Sequence, residues 1–440
     1  MARVVEEREG AKSPVRELLR LFQVNRAGEA KAIYSVCSAN RLVLEAACAQ
    51  ALHDGSLVLI EATSNQVNQE GGYTGMNPVD FREYVGETAA RMNFPREKLL
   101  LGGDHLGPNP WQNLAAEAAM DRACVMVAGY AAAGYAKIHL DASMPCKDDP
   151  RPLSGAEIGK RAARLCQAAE TAIADSPVKP VYIIGTEVPT PGGAQEELEI
   201  EVTRTESLDE TIEIHGRAFA ERSLKSAWDR VVGVVVQPGV EFGDEDVAEF
   251  VPEKADALAK SILKHEGLVF EAHSTDYQTG GALRALVEHH FGILKVGPEL
   301  TFMMREAIFG LAQIENEWIT TDRRSNIRSV IEKVMVEHAE NWKKYYRGDP
   351  EQLRYARAYS LSDRIRYYWP SPEISVALGT LLCNLTERPA PLPLVEQYLP
   401  KQAEAIRRGG CRNEPAGMIQ HKVREALLRY AAACGLTSGK

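Results

Sequence analysis

The sequence of 440 residues lacks several features that mark particular classes of protein. It contains no run of Lys and Arg and has a net charge of −10, whereas a nucleic-acid surface needs clustered basic residues. No stretch approaches the roughly 18 consecutive apolar residues of a membrane helix. Residues 1–7 carry acidic groups where a signal peptide has an apolar core. We therefore predict a cytoplasmic protein with no nucleic-acid partner and no membrane span.

Closely spaced cysteine pairs, internal repeats and low-complexity tracts are missing as well. The eight cysteines are scattered along the chain, without a Cys-x-x-Cys motif. In a cytoplasmic protein such residues are expected to be reduced and mostly buried as small hydrophobic side chains.

Short apolar runs rich in β-branched residues alternate with Ala-rich helical stretches along the first two thirds of the chain. This alternation is typical of a parallel sheet, and eight such units favour a closed (β/α)₈ TIM barrel over an open sheet. The predicted strands are residues 32–36, 57–62, 99–103, 137–141, 181–185, 232–236, 268–273 and 293–297.

The sequence after the eighth predicted strand has helical patterns and no convincing strand. Proline clusters at residues 370–372 and 389–393 interrupt it. Because a barrel of this kind takes about 250 residues, we predict a barrel over residues 1–310. Residues 311–440 are predicted to supply the barrel-closing helix and a helical C-terminal extension.

Polar residues gather where the predicted strands end. Catalytic residues of TIM barrels project from the C-terminal ends of the strands, so this placement indicates a functional site. The residues concerned are Cys37, Glu61, Asp104, His105, Asp141, Ser143, Glu187, Gln237, His273 and Glu299.

Asp104 and His105 follow the third predicted strand, and His273 follows the seventh. Two imidazoles on facing sides of one barrel mouth could reach a single divalent metal such as zinc, while Asp104 moves a proton. The alternative is a pair of core histidines beside an Asp that caps a loop.

Other strand-end residues have more than one interpretation. Glu187 is a candidate metal ligand or general base, or else a structural carboxylate that binds loop amides. The turn at residues 190–193 that follows it could bind an anion through its amides. Asp141, with Ser143 and Gln237, is a candidate for binding substrate, although Asp141 could equally cap a loop or orient a histidine.

The extension contains a dense group of Arg and aromatic residues at positions 362–369. Arg364 and Arg366 could bind the phosphate of a sugar above the barrel mouth, because guanidinium groups pair with phosphate through two hydrogen bonds. The alternative is an Arg/aromatic packing surface or an interface between copies of the chain, and hence a possible homo-oligomer.

The run Gly102-Gly103-Asp104-His105 resembles a motif of the class II, metal-dependent ketose-bisphosphate aldolases. The resemblance implies that Asp104 is the catalytic acid/base and that His105 and His273 bind zinc. This chain differs from those aldolases at three positions: Gln237 stands where they have a third zinc histidine, Asp276 in their phosphate loop, and Gly297 where they have Asn.

A narrower resemblance covers nearly the whole chain. The runs at residues 61–76, 102–111 and 362–369 look like those of the accessory subunit of D-tagatose-1,6-bisphosphate aldolase, a family also labelled tagatose 6-phosphate kinase. This implies a partnership with a catalytic class II aldolase subunit and a ketose phosphate ligand. The sequence has no Gly-x-x-x-x-Gly-Lys-Ser/Thr loop and no kinase signature set.

We therefore predict an accessory subunit that supports the activity or stability of a catalytic tagatose-bisphosphate aldolase. One alternative is a stand-alone metal-dependent ketose or ketose-phosphate 4-epimerase or aldolase. Another is a scaffold with an empty mouth, which would leave the polar strand ends unexplained.

Overall fold

The computed structural model describes residues 13–188 and 200–437. The turn predicted at residues 190–193 lies outside them. The strands are β1 (Ile33–Val36), β2 (Val58–Thr63), β3 (Leu99–Leu106), β4 (Lys137–Leu140), β5 (Val181–Ile184), β6 (Val231–Val235), β7 (Glu241–Phe242), β8 (Val247–Ala248), β9 (Val269–Ala272) and β10 (Phe291–Val296). The helices are α1 (Pro14–Arg26), α2 (Arg41–Asp54), α3 (Pro78–Arg91), α4 (Ala116–Ala132), α5 (Gly155–Ala172), α6 (Thr205–Glu221), α7 (Lys225–Trp228), α8 (Pro252–Ile262), α9 (Gly280–Glu288), α10 (Pro298–Trp318), α11 (Ile327–Glu337), α12 (Pro350–Tyr359), α13 (Pro372–Glu387), α14 (Leu392–Tyr398), α15 (Pro400–Arg407) and α16 (Pro415–Ala433).

Eight parallel strands close into a barrel in the order β1-β10-β9-β6-β5-β4-β3-β2. Each coincides with one of the eight predicted runs to within three residues, which confirms the TIM-barrel prediction. The runs are recognisable because strands of a parallel barrel are covered on both sides and so consist largely of Val, Ile and Leu. The short antiparallel pair β7–β8 was not predicted, since two residues per strand leave no periodic pattern to read.

The barrel interior changes character along its axis. At the N-terminal end, α1 packs Leu18 and Phe22 against inward-facing aliphatic residues such as Ile33, Leu59 and Ile183. This end is an apolar plug, as expected of the stabilising face of a TIM barrel. Charged side chains fill the C-terminal half instead, as described below.

The extension is helical, as predicted, and it wraps one side of the barrel. α16 packs against α2, α9 and α10, so the last helix of the chain covers the seam where the barrel closes. The boundary predicted at residue 310 falls within α10. Among the described helices, none combines the length and apolar character that a membrane crossing requires.

Candidate functional site

A bulge in β3 places Asp104 and His105 together at the barrel mouth. The pairing of β3 with β4 shifts register between Gly103 and Leu106, and His105 has a left-handed backbone with φ of 47°. Such conformations cost energy in residues other than glycine and concentrate at functional sites. Just before the bulge, a Cβ at Gly102 would lie 2.7 Å from the Glu61 side chain, so glycine makes room for that carboxylate.

Below these residues, two lysines and three carboxylates form a buried ionic cluster. Lys137 Nζ lies 2.8 Å from Glu61 and 2.7 Å from Glu271, and all three side chains are fully buried. Lys295 Nζ binds Glu61 and lies 2.8 Å from Asp104 Oδ1. Every carboxylate of this cluster therefore faces at least one ammonium group, as the burial of charge requires.

The cluster fixes the ionisation of its members. Burial alone would raise the pKa of Asp104, but His105 and Lys295 hold it well below its usual range. Lys137 and Lys295 likewise keep the pKa of Glu271 well below its usual range against the effect of burial. The pKa of Lys295 is raised well above its ordinary value, chiefly by Asp104, despite its burial. Lys295 is consequently a fixed positive charge and not a free amine nucleophile.

Three histidines line the top of the cluster. His273 Nδ1 lies 3.0 Å from His105 Nε2, and His273 Nε2 lies 2.9 Å from Glu271 Oε1. Burial lowers the pKa of His273 to about 3, so its imidazole is neutral and able to ligate a metal. His139 Nδ1 lies 3.3 Å from Asp104 Oδ1, whereas its buried Nε2 has no hydrogen-bond partner among the described residues.

Four of these side chains could hold one metal ion. Asp104, His139, Glu271 and His273 each offer a nitrogen or oxygen donor, and the four donors lie within 4.8 Å of one another. Cys37 forms a second group with Glu61 and Asp104. Burial raises the pKa of the Cys37 thiol well above its ordinary value, which disfavours the thiolate that a metal would bind.

A cavity of about 520 Å³ opens directly above the cluster. Asp104, His105, His273 and Lys295 form part of its wall, so the ionic cluster is accessible to a small molecule. The other walls come from the loops after β1 and β2, from the start of α10, and from the extension around residues 366–382. A volume of this size is within the range of small-molecule sites.

The extension contributes Arg366 and Tyr367 to this cavity from a 3₁₀ turn, Arg364–Tyr367. Arg366 donates a hydrogen bond of 2.9 Å to the Tyr367 hydroxyl. The predicted substrate-binding residue Arg366 therefore reaches the mouth. Arg364 does not line this cavity: its guanidinium lies 3.1 Å from the centre of the Tyr345 ring and donates to the Asn341 carbonyl.

Asp141 and Ser143 support His105. Asp141 Oδ2 lies 2.8 Å from His105 Nδ1, and Asp141 Oδ1 accepts a hydrogen bond of 2.6 Å from the Ser143 hydroxyl. Burial lowers the pKa of His105, but the carboxylates of Asp104 and Asp141 raise it more. Of the three roles considered for Asp141, the geometry shows two: it orients a histidine, and its Oδ1 accepts a hydrogen bond of 3.0 Å from the Ser143 amide, which caps the loop.

Like Arg364, Asp141 and Ser143, the predicted site residues Glu187 and Gln237 are not part of the cavity wall. Glu187 is exposed and accepts a hydrogen bond of 2.5 Å from the Thr203 hydroxyl. The Gln237 side-chain oxygen accepts from the amides of Gly239 and Val240 at 2.8 and 3.0 Å, which closes the turn after β6. Their catalytic, metal and substrate roles stay predictions.

Four functional candidates were missed in the sequence: Lys137, His139, Glu271 and Lys295. The signal that could have found them is alternation within the strands. Lys137 and His139 are two residues apart on β4, so both point to the barrel interior. Glu271 on β9 and His273 directly after it repeat the pattern. A charged residue at an inward position of a buried strand indicates an ionic site.

Comparison with known proteins gives a family match over nearly the whole chain. Residues 18–435 match the family model described as D-tagatose-1,6-bisphosphate aldolase subunit GatZ/KbaZ-like. A crystal structure of a probable tagatose 6-phosphate kinase from Sinorhizobium meliloti 1021 is 47% identical, with a TM-score of 0.85 over 92% of this chain and 100% of that chain. A fructose-bisphosphate aldolase from Campylobacter jejuni is 13% identical, covers 85% of this chain and 92% of its own, and has a TM-score of only 0.45. On the family match and the 47% identical structure, the chain belongs to the D-tagatose-1,6-bisphosphate aldolase subunit GatZ/KbaZ-like family.

Proposed function

We propose that this chain is the accessory subunit of a class II D-tagatose-1,6-bisphosphate aldolase and that it supports the activity or stability of the catalytic subunit. The observation that carries the proposal is the family match over residues 18–435. The pair would cleave tagatose 1,6-bisphosphate into two triose phosphates in carbohydrate catabolism. A cytoplasmic location is part of the proposal, and the eight free cysteines are consistent with it.

The test is a titration of the purified chain into a catalytic class II subunit. Triose-phosphate release should rise and saturate near a fixed ratio of the two proteins, or the half-life of the catalytic subunit at elevated temperature should lengthen. The chain alone should release little triose phosphate. A catalytic subunit whose rate and half-life are both unchanged at saturation would contradict the proposal.

We further propose that Asp104, His139, Glu271 and His273 hold a divalent metal such as zinc. The buried Nε2 of His139 lacks a partner, which is the state expected of a ligand atom. Charge balance agrees, because four buried carboxylates against two ammonium groups leave two negative charges when the histidines are neutral, and one when His105, whose pKa is raised, is protonated. These groups are Glu61, Asp104, Asp141 and Glu271, with Lys137 and Lys295.

The metal proposal is tested by elemental analysis after reconstitution with zinc, manganese or nickel. His139→Asn should abolish binding, and metal at about 100 times its Kd should stabilise the wild type by about 2.7 kcal/mol. His105→Asn distinguishes this donor set from the one predicted from sequence, which includes His105. The variant lacks the His105 ring nitrogens but keeps the four donors, so it should still bind the metal if these four are the ligands. Wild-type protein that takes up no metal would refute the proposal.

A second candidate function is a metal-dependent ketose or ketose-phosphate 4-epimerase. It is favoured by the cavity that opens onto Asp104, since a non-catalytic scaffold has no need of an accessible ionised carboxylate. A bound metal would polarise a substrate oxygen. The Asp104 oxygen that does not bind the metal would take the proton of the 4-hydroxyl as the C3–C4 bond breaks, and would return it after the bond re-forms on the other face of the aldehyde. His105, oriented by Asp141, would bind a neighbouring hydroxyl. Epimerase activity without a partner, lost in Asp104→Asn, would select this candidate.

The ligand of the cavity is proposed to be a ketose or its phosphate ester, with Arg366 as the group that binds the phosphate. The support is chemical: a guanidinium forks onto phosphate, and carboxylates and imidazoles accept hydrogen bonds from sugar hydroxyls. Association of the chain with copies of itself stays a prediction that size-exclusion chromatography with light scattering would test.

A further inference from the structure

The place where TIM barrels bind phosphate is already filled in this protein. That site is formed by the loops after the seventh and eighth strands and by the N-terminus of a nearby helix. Here the two strands are β9 and β10, and the helix is α10, which begins at Pro298 directly after Gly297. Free amides at a helix start form a ready-made site for a ligand anion.

Asp276, in the loop after β9, accepts the hydrogen bonds of these amides in place of a ligand. Its Oδ1 accepts hydrogen bonds from the amides of Gly297 at 2.9 Å and Glu299 at 2.8 Å. The side chain is 3% exposed, and both Asp276 and Gly297 line the cavity. The two donors are therefore occupied by a carboxylate of the chain itself.

A second carboxylate strengthens this arrangement. Glu299 Oε2 accepts from the amide of Tyr277 at 2.9 Å, and its other oxygen pairs with Arg429. Glu299 thus occupies the Tyr277 amide and Arg429, two groups that a phosphate could otherwise have bound. A phosphate arriving here would find three amides already bound and the carboxylate of Asp276 beside it.

We propose that Asp276 is a built-in anion that determines the ligand specificity of the cavity. The ligand is a ketose with at most one phosphate, and its unphosphorylated end lies against α10, where Asp276 accepts a hydrogen bond from a hydroxyl. A ketose bisphosphate is excluded. The proposal rests on the ketose ligand proposed above, but it does not depend on whether the chain stimulates a partner.

The ionisation of Asp276 sets the condition for a test. Burial and the Glu299 carboxylate raise the pKa of Asp276 to about 7. The titratable and charged groups around it are Tyr277 of the same loop, Glu299 of α10, and Tyr430 of α16, with Arg429 of α16 paired to Glu299. Binding is therefore measured at about pH 8, where Asp276 carries its charge.

The experiment is calorimetric titration with inorganic phosphate, D-tagatose, D-tagatose 6-phosphate and D-tagatose 1,6-bisphosphate. Asp276→Asn removes the charge but keeps an oxygen for the two amides, and Asp276→Gly frees both amides. Asp256→Asn, an exposed residue of α8 outside the cavity wall, controls for net charge. Melting curves confirm that each variant is folded, and Asp276→Asn remains informative if Asp276→Gly unfolds.

Phosphate and the bisphosphate should bind Asp276→Asn at least about tenfold more tightly than the wild type or Asp256→Asn. A carboxylate about 5 Å from a phosphate, at an effective dielectric constant of about 20, can account for on the order of 100-fold. Crystals of a variant soaked in phosphate should show the anion at the Gly297 amide. The proposal is overturned if no Asp276 variant gains phosphate affinity, or if the wild type binds the bisphosphate as tightly as tagatose.

Discussion

Replacing Lys137 by Met tests whether its ammonium group balances the buried negative charges of the ionic cluster, as its contacts indicate. Lys137 is fully buried and lies between Glu61 at 2.8 Å and Glu271 at 2.7 Å. Methionine has a similar length and is apolar, so the substitution removes the charge and leaves no large cavity. Lys295 still contacts both carboxylates, but one ammonium group must then serve three negative charges.

The expected cost follows from the unpaired charge. Breaking a buried pair by removing one partner typically costs about 3–5 kcal/mol, because a charge is left buried without compensation. Lys160→Met is the matched control: its ammonium lies 4.0 Å from Glu157 and its side chain is 69% exposed. Exposed pairs contribute about 0–1 kcal/mol, so the control should change stability very little.

The assay is urea denaturation followed by circular dichroism, in the presence of a chelator so that a bound metal does not contribute. Lys137→Met should lose about 3–5 kcal/mol relative to wild type. Adding Glu61→Gln to Lys137→Met should recover part of the loss, because the double variant buries one negative charge fewer. A Lys137→Met protein within about 1 kcal/mol of wild type would refute the assignment of a compensating charge to Lys137.

Two further changes test the packing beneath the mouth and in the helical layer. Gly107→Ala should destabilise the protein by about 2–3 kcal/mol or more in the same assay, because the added Cβ would lie 1.5 Å from the Asp141 carbonyl oxygen. The control Gly86→Ala, where a Cβ would have no atom within 4 Å, should be neutral or stabilising. Equal effects of the two variants would contradict the close contact between Gly107 and Asp141. His215 is buried with Nδ1 2.8 Å from the Thr211 carbonyl, and burial lowers its pKa from the ordinary 6.5 to about 4. Between pH 6.5 and 4, His215 is protonated in the unfolded chain but neutral in the folded protein. The free energy of unfolding should therefore fall as the pH drops through this range, by up to about 1.4 kcal/mol per pH unit. His215→Leu should remove this contribution to the pH dependence of stability.

The strands could be predicted from sequence because each is a short run of buried β-branched residues between helical segments. The bulge at Asp104 could not, since a register shift leaves no compositional trace, yet it is what brings Asp104 and His105 to one mouth. Lys137 and Lys295 were missed for a physical reason: lysine is almost never fully buried, so a strand containing it is not expected to point that side chain inward. Only the pairing with carboxylates from β2 and β9 makes the burial possible.

Strand-end position alone was a poor guide to side-chain direction. Glu187 lies three residues beyond the end of β5, where the alternation of the strand no longer fixes which way a side chain points. His273 immediately follows β9, and it does face the interior. The extension shows the same limit, because Arg364 and Arg366 are two residues apart in a 3₁₀ turn and only Arg366 reaches the cavity.

The central claim is that this chain acts on a catalytic aldolase subunit through protein contact and not through chemistry of its own mouth. The most direct measurement is the rate of triose-phosphate release by the catalytic subunit at saturating wild-type chain and at saturating Asp104→Asn, with binding of both to the catalytic subunit verified. We predict equal stimulation by the two proteins. A folded Asp104→Asn chain that binds the partner but no longer stimulates it would contradict the claim and would place the reaction, or an essential step of it, at this barrel mouth.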